Sequence, residues 1–199
     1  MMTPRTPASS AHRPPPRHAS PFAGFRSDHA RVLSQLDTIE TELSRSRGFG
    51  ARASATLGPV VESCARQFAT HMTAEDALLY PWLGETLPES RITLEALGAD
   101  HSELRSLLSG IAQGLAQRAG RKRDEQLRVQ LRDFVDLLRL HIRREESAVF
   151  EVADRILSPT EARELARRLQ HFVSVLSPSP TTTRRARKPA ATGPRERKS

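Results

Sequence analysis

The sequence predicts an all-α protein whose core is an antiparallel up-down-up-down four-helix bundle. Four long segments between residues 24 and 157 carry apolar residues at helical spacing, and none shows the period-two alternation of a strand. Short connections near residues 49, 86 and 121 force consecutive helices to run antiparallel as neighbours. A short fifth C-terminal helix and disordered basic tails complete the predicted architecture.

The first helix is predicted over residues 25–47, where apolar side chains recur on one face. Ser27 or Asp28 is a suitable N-terminal cap for it. Gly48 and Gly50 follow as stop signals, because glycine accepts the backbone conformations that end a helix.

Boundary signals also accompany the later helices, which are predicted over residues 54–83, 89–119, 124–157 and 160–172. Pro59 suits the first turn of the second helix, and Pro81 lies near its end. The fifth helix follows Ser158 and Pro159, a typical helix entry, with acidic residues near its start.

Charge divides the 199-residue chain into three parts. Residues 1–22 carry three arginines and no acidic residue, while residues 175–199 carry seven Lys or Arg against one Glu. Since the whole chain has a net charge of +8, residues 23–174 are left at about −1. Proline is concentrated in the same two ends, so we expect a disordered leader over 1–22, one folded domain over 23–174 and a disordered basic tail over 175–199.

Composition excludes several classes of protein. Cys64 is the only cysteine, so no intramolecular disulfide forms, and we expect a reducing cytoplasm and a core role for this residue. No stretch approaches the ~20 apolar residues of a membrane span. The chain has no HExxH, Walker A, GxSxG or CxxC motif, so a dedicated enzyme is not expected.

Each long helix carries one histidine on its apolar face. In an antiparallel hairpin, opposed residues are equidistant from the turn, so the midpoint of their numbers falls in that turn. The midpoint of His29 and His71 is 50, that of His71 and His101 is 86, and that of His101 and His141 is 121. All three midpoints lie in predicted connections, which places the four imidazoles on one level of the bundle interior.

Two glutamates join these histidines in H-x-x-x-E motifs, His71 to Glu75 and His141 to Glu145. Four residues along a helix place the second side chain on the same face, one turn away. Both glutamates are therefore predicted to point inward.

The bundle is predicted to consist of two copies of one helical hairpin. Residues 71–80 and 141–150 share H-x-x-x-E-[DE] followed by an aromatic residue. The Asp-His pair at 28–29 recurs at 100–101, at nearly the same separation.

Buried carboxylates beside imidazoles cost several kcal/mol per unpaired charge, so a metal is the expected partner. Nitrogen and oxygen ligands without thiolate favour iron, manganese or zinc over copper(I). Six side chains exceed one tetrahedral zinc site, while two ions sharing two glutamates would use them all. The candidate metal ligands are His29, His71, Glu75, His101, His141 and Glu145.

At these residues the sequence resembles the hemerythrin-like family, whose HHE cation-binding domain holds a non-haem di-iron centre in a four-helix bundle. The resemblance covers about residues 24–157 and includes the Leu-Leu-Tyr-Pro run at 78–81. It implies two iron ions, in preference to manganese or zinc, with terminal histidines and with Glu75 and Glu145 as bridges.

Two positions depart from the oxygen-carrying hemerythrins. Arg105 stands where those proteins have a second histidine in the third helix, and Glu146 stands where they use a bridging aspartate. We therefore expect the site to sense or handle oxygen, nitric oxide or peroxide, or to serve iron homeostasis or repair, rather than to store oxygen. Its partner would be a small diatomic ligand or peroxide, and peroxide or oxygen chemistry at the metal stays open.

An alternative hypothesis is an interaction protein whose basic tail, residues 184–198, contacts nucleic acid or another polyanion. No aromatic residue interleaves these charges for base stacking, which favours weak contact or a solubilising role. The sequence does not predict the oligomeric state.

Overall fold

The computed structural model describes residues 19–45 and 49–176, and all the regular structure in these ranges is helical, as predicted. The α-helices are α1 (Ala23–Arg45), α2 (Ala51–Ala74), α3 (Tyr80–Thr86), α4 (Arg91–Ala116), α5 (Arg121–Arg144), α6 (Glu151–Ile156) and α7 (Pro159–Leu176). None of these helices has the length and apolarity needed to cross a bilayer.

Two π-helical segments continue α2 and α5 without a break. Glu75–Leu79 joins α2 to α3, and Glu145–Phe150 joins α5 to α6. In a π-helix the backbone N–H bonds to the carbonyl five residues earlier; Tyr80 accordingly donates to the carbonyl of Glu75. The predicted second helix is thus one continuous helical rod over residues 51–86, and the predicted fourth is one over residues 121–156. Each contains one widened turn. Together with α1 and α4 they are the four rods of the bundle.

The four long rods form the predicted bundle. The first helix, α1, packs against α2 and α5, and α4 packs against the same two helices. Short connections link neighbouring rods, including the 3₁₀ turn Pro88–Ser90 before α4. This arrangement confirms the up-down-up-down fold.

Helix ends differ from the predicted ones in the first, second and fifth helices. The second helix begins at Ala51, so Pro59 lies inside it and not in its first turn as predicted. The first helix begins at Ala23, so Ser27 and Asp28 lie inside it and do not cap it, whereas Gly48 lies outside the described residues. The fifth predicted helix is longer than expected, since α7 continues to Leu176 and buries three apolar residues, Ala162, Leu165 and Leu169.

The apolar core is divided into two clusters. One lies towards the loops that join α1 to α2 and α4 to α5, and includes Val32, Leu57, Leu104 and Leu131. The other covers the opposite end, where α7 packs, and includes Phe22, Leu79, Leu97 and Phe150. Between them lies a layer of buried polar side chains.

Ordered packing begins before residue 23. Phe22 is 0% exposed and stacks on Phe150 with 4.6 Å between ring centroids, and the Ser20 hydroxyl donates to Asp154 Oδ2 at 3.0 Å. A proline-rich composition did not reveal this short anchoring stretch. The remainder of the predicted leader, residues 1–18, and most of the predicted tail, residues 177–199, lie outside the described residues. Polyanion contact through 184–198 therefore stays a prediction.

Candidate metal centre

The polar layer of the bundle consists of the residues that the sequence singled out. All six are buried, with at most 4% of their surface exposed. They are His29, His71, Glu75, His101, His141 and Glu145.

In one half of this cluster, α1 and α2 bring two imidazoles together. His29 Nε2 lies 3.1 Å from His71 Nε2, and His71 Nε2 lies 2.8 Å from Glu75 Oε1. Glu145, from the opposite side of the bundle, places its Oε2 3.2 Å from His29 Nε2. Four possible ligands thus converge on one point.

The other half repeats this arrangement on α4 and α5. His101 Nε2 lies 3.3 Å from His141 Nε2 and 3.3 Å from Glu75 Oε2. Glu145 Oε2 is 4.0 Å from His141 Nε2. The two oxygens of Glu75 therefore face the two halves, one each.

Two groups of side chains have ligand atoms close enough to hold one cation each. In the first, the ligand atoms of His29, His71, Glu75 and Glu145 all lie within 4.8 Å of one another. In the second, Glu75, His101 and His141 meet the same limit. Glu75 belongs to both groups.

Three oxygens of the inner carboxylates accept no hydrogen bond within the described part of the chain, although imidazole nitrogens lie beside them. Both oxygens of Glu75 and Oε2 of Glu145 are buried, and no hydrogen bond reaches them from the described residues. Leaving a buried carboxylate unpaired costs several kcal/mol, and the imidazole nitrogens beside it add converging lone pairs. A cation at this point would satisfy both, so the donor set fits a metal.

Electrostatics within the cluster shifts its pKa values in opposite directions. Burial opposes the charged form of His71, but Glu75 and Asp28 outweigh it and raise its pKa to about 10. Burial raises the pKa of Glu145 to about 7, and the neighbouring Glu75 adds to this shift. Burial lowers the pKa of His141 to about 3, assisted by His101. The groups compete for protons, which a metal must displace in order to bind.

Acidic residues outside the cluster contact the outward-facing nitrogen of each imidazole. His29 Nδ1 donates to Glu146 Oε1 at 2.9 Å, and His101 Nδ1 donates to Asp76 Oδ1 at 2.7 Å. Such contacts fix the tautomer that presents Nε2 inward, as metal-binding histidines require.

The other two imidazoles have longer contacts of the same kind. His71 Nδ1 lies 3.5 Å from Asp28 Oδ2, and His141 Nδ1 lies 3.6 Å from Asp100 Oδ2. Each rod thus supplies a carboxylate to the histidine of the next rod, and the fourth supplies one to the first. Sequence reasoning missed this ring, although the repeated Asp-His and Glu-[DE] pairs carried its signal.

Tyr80 is a further polar residue of the centre. Its hydroxyl donates to Glu145 Oε1 at 2.9 Å and lies 3.5 Å from His101 Nε2. Burial raises the pKa of Tyr80, and the carboxylates of Glu75 and Glu145 raise it further, so the phenol stays neutral. The sequence identified it as an aromatic residue after the motif and as part of the Leu-Leu-Tyr-Pro run, but assigned it no contact with the centre.

The two departures from the hemerythrins lie outside the inner cluster. Arg105 is partly exposed and donates to Asp76 Oδ2 at 2.7 Å, while Glu146 faces outward to His29. Cys64 lies in the larger apolar cluster, and burial raises its pKa to about 12. It is a core residue, as expected, and supplies no thiolate.

The comparisons with known proteins agree with this geometry. The family model of the hemerythrin HHE cation-binding domain matches residues 20–153, a range that contains all six residues of the cluster. Comparison with the curated proteins and with the solved structures found no match.

Proposed function

The chain belongs to the hemerythrin HHE cation-binding domain family, and we propose that it binds two iron ions through the six buried His and Glu side chains. The observation that carries this proposal is the set of three buried carboxylate oxygens without hydrogen bonds, on Glu75 and Glu145. They lie among four imidazole nitrogens, at a point where a cation would satisfy both kinds of ligand.

The geometry supports two ions rather than one. Glu75 belongs to both candidate groups, with one oxygen towards each, as a bridging carboxylate requires. Glu145 lies between His29 and His141 and is the second candidate bridge. Four imidazoles and two carboxylates also exceed the four ligands of a structural zinc site.

The ligand chemistry supports iron. Imidazole and carboxylate suit iron, manganese and zinc, and no thiolate is present to favour copper(I). We propose iron among these three, because the chain belongs to a cation-binding family and its ligands resemble a hemerythrin-like di-iron set.

Burial limits what can reach the site. The six side chains are nearly inaccessible, and Phe22, Phe25, Leu79 and Phe150 pack over them at the α7 end of the bundle. A molecule the size of oxygen, nitric oxide or peroxide can reach such a layer through small fluctuations, whereas a larger substrate cannot. We therefore propose that the protein senses or handles these small species, or acts in iron homeostasis or repair.

The protein's own residues would prepare the site for such a ligand. Iron held by these residues would supply redox chemistry and a coordination position for a small oxygen or nitrogen species. Tyr80 holds its proton towards Glu145 and offers the centre a neutral hydrogen-bond donor. The outer carboxylates hold the imidazoles in place, and the apolar cover excludes water. We propose a cytoplasmic location for this function, since a chain with a single cysteine forms no intramolecular disulfide.

The proposal is tested first by metal content. Protein made in iron-supplied cells should contain about two irons per chain. Less than about one iron, with zinc or manganese in its place, would contradict the iron assignment, and the absence of any bound metal would contradict the site itself.

A variant of one ligand tests the residue assignment. His141→Ala should lose the near-ultraviolet absorption of the iron centre and at least one iron. The matched control is His171→Ala, since His171 is an exposed histidine on α7. Equal iron content and equal spectra in both variants would exclude His141 as a ligand.

Removal of iron should also lower the melting temperature. Binding to the folded state adds about 4 kcal/mol per ion at a thousand-fold excess over Kd. Calorimetry of the iron-loaded and chelated proteins measures this difference, and equal melting temperatures would show that the folded protein does not bind iron.

A further inference from the structure

The centre has an internal two-fold relation. It includes both the six inner His and Glu side chains and the outer carboxylates that contact the imidazoles. Residues of α1 and α2 match residues of α4 and α5 at separations of 70 or 72. The matching pairs are His29 with His101, His71 with His141, Glu75 with Glu145, Asp28 with Asp100, and Asp76 with Glu146. Their contacts match as well, with two short Nδ1 contacts at 2.9 and 2.7 Å and two longer ones at 3.5 and 3.6 Å.

Several matched positions differ between the two halves, and three of these differences give the His101–His141 half an additional polar contact. Tyr80 contacts His101, while the matching Phe150 stacks on His29. The other two differences are arginines: Arg105 matches Leu33, and Arg144 matches Ala74.

Arg105 holds the carboxylate that contacts His101. Its Nη2 donates to Asp76 Oδ2 at 2.7 Å, while Asp76 Oδ1 accepts from His101 Nδ1 at 2.7 Å. Asp76 lies on the π segment after α2, whereas Arg105 and His101 lie on α4, so the contact fixes two rods to each other.

Arg144 holds the carboxylate of Asp100, which lies beside His141. Its Nη1 donates to Asp100 Oδ2 at 3.3 Å, and that oxygen lies 3.6 Å from His141 Nδ1. Asp100 lies on α4, and the other two residues lie on α5. Both carboxylates behind the His101–His141 pair are thus held from a second helix.

The carboxylates behind the His29–His71 pair are held less firmly. Asp28 contacts Arg31 of its own helix at 3.2 Å, with both side chains about half exposed. Within the described part of the chain, the polar contact of Glu146 is the one with His29. Among the described residues, no arginine of another rod pairs with either carboxylate.

We propose that the two halves of the centre hold metal unequally, and that the His101–His141 half releases its ion more slowly. The number of ligands does not set this order, because Glu145 Oε2 lies between His29 and His141 and is available to both halves. A metal leaves when its imidazole ligands turn away, and a clamped carboxylate resists this turn. Arg105 and Arg144 act as positioning residues here. Their side chains are 44% and 48% exposed, so solvent screens their charges, and we attribute their effect to the hydrogen bonds that fix Asp76 and Asp100 rather than to charge. The inference rests on the proposed iron function.

Release of iron to a chelator tests the inequality. The protein is loaded with iron(II) without oxygen, mixed with an excess of a colorimetric iron(II) chelator, and followed with time. The wild-type protein should release its iron in two phases of equal amplitude, with rates that differ by about 10-fold or more.

Variants assign each phase to a half. Arg105→Leu with Arg144→Ala gives the second half the residues of the first, and should accelerate the slow phase about 10-fold or more while the fast phase keeps its rate. Glu146→Gln should accelerate the fast phase alone. Arg121→Leu is the control, because Arg121 is exposed and paired with Glu125 at the far end of the bundle, and both rates should stay unchanged.

A spectroscopic measurement separates positioning from a general loss of stability. With iron-57, the wild-type protein should show two Mössbauer doublets of equal area, one for each half. In the double arginine variant the two doublets should become more alike, because the two halves then match at both arginine positions. Two bound irons that leave in a single phase, or a double variant with unchanged slow rate and unchanged doublets, would overturn the inequality. Less than one iron per chain in the wild-type protein would instead overturn the proposed function on which it rests.

Discussion

The bundle buries ionisable side chains at two levels, one within the metal centre and one near the loops that join α1 to α2 and α4 to α5. At the second level Arg123 is 9% exposed, and the chain satisfies it fully. At the first level, carboxylates and imidazoles face each other with buried oxygens that no hydrogen bond reaches.

Arg123 makes five hydrogen bonds and joins three parts of the fold. Its guanidinium spans the start of α2, the end of α4 and the start of α5. The acceptors are the carbonyls of Phe49, Gly114 and Leu115, the hydroxyl of Ser54 and the carboxylate of Asp124.

The difference shows which polar level the chain completes by itself. A guanidinium with acceptors all around it needs nothing from outside the protein. The carboxylates of Glu75 and Glu145 need a cation to offset their burial. Substitution of Arg123 should therefore change stability by the same amount with and without metal. Substitution of Glu75 or Glu145 should change stability by an amount that depends on whether metal is bound.

The largest effect is expected for Arg123→Met. The variant removes the five hydrogen bonds that Arg123 donates and leaves Asp124 without its charge partner, so it should destabilise the fold by about 3–5 kcal/mol. The loss should be equal in iron-loaded and chelated protein, as measured by chemical denaturation. Arg121→Met, at an exposed arginine two residues earlier, is the matched control and should change stability by less than about 1 kcal/mol.

A result that would break the comparison is a loss of iron in Arg123→Met at temperatures where the protein remains folded. That outcome would couple the two levels. Apolar residues, including Leu57 and Leu104, lie between Arg123 and the metal centre. We therefore expect the iron content of the variant to stay at the wild-type value.

A smaller effect of opposite sign is expected for Glu145→Gln. In chelated protein at pH 8, the amide removes a buried charge beside Glu75 and keeps an oxygen for the Tyr80 hydroxyl, so stability should rise by about 1–3 kcal/mol. Iron-loaded protein should lose metal and stability. Chemical denaturation of the chelated and the iron-loaded variant, each compared with the wild-type protein, measures these two opposite changes in stability.

The matched control for these two changes is Glu151→Gln. Glu151 is exposed and pairs with Arg155, and its neutralisation should change stability little in either form. If Glu145→Gln instead destabilised the chelated protein, the buried carboxylate would be satisfied by the chain, and the contrast with Arg123 would fail.

Much of this centre could be predicted because helical geometry is regular. Apolar periodicity gave the four rods, and the midpoints of His29 with His71 and of His101 with His141 placed the imidazoles on one level. Local spacing then added Glu75, since a side chain four residues along a helix shares its face.

Features that depend on contacts between rods could not be predicted. The π segments begin at the two inner glutamates, but an extra residue in one turn leaves the apolar pattern almost unchanged. The outer ring requires knowing which helix faces Asp28 or Asp100. Arg123 looks like one more charge at a helix start, and only the fold surrounds it with carbonyl groups.

The smallest expected effect concerns Asp124 and acid. A hydrogen bond from Arg123 holds the pKa of this carboxyl below its usual range, and the Phe49 N–H contributes as well. Because the folded-state pKa is lowered, the carboxylate adds stability that is complete above pH ~4, the unfolded pKa, and is lost as the pH falls through the folded value. Asp124→Asn should therefore reduce the stability of chelated protein by at most about 1 kcal/mol at pH 6, and by progressively less between pH 4 and pH 2. Denaturation midpoints of both proteins across this range measure the difference. A gap that stayed constant with pH would assign the loss to packing, and would show that Arg123 is satisfied by its neutral acceptors without the charge of Asp124.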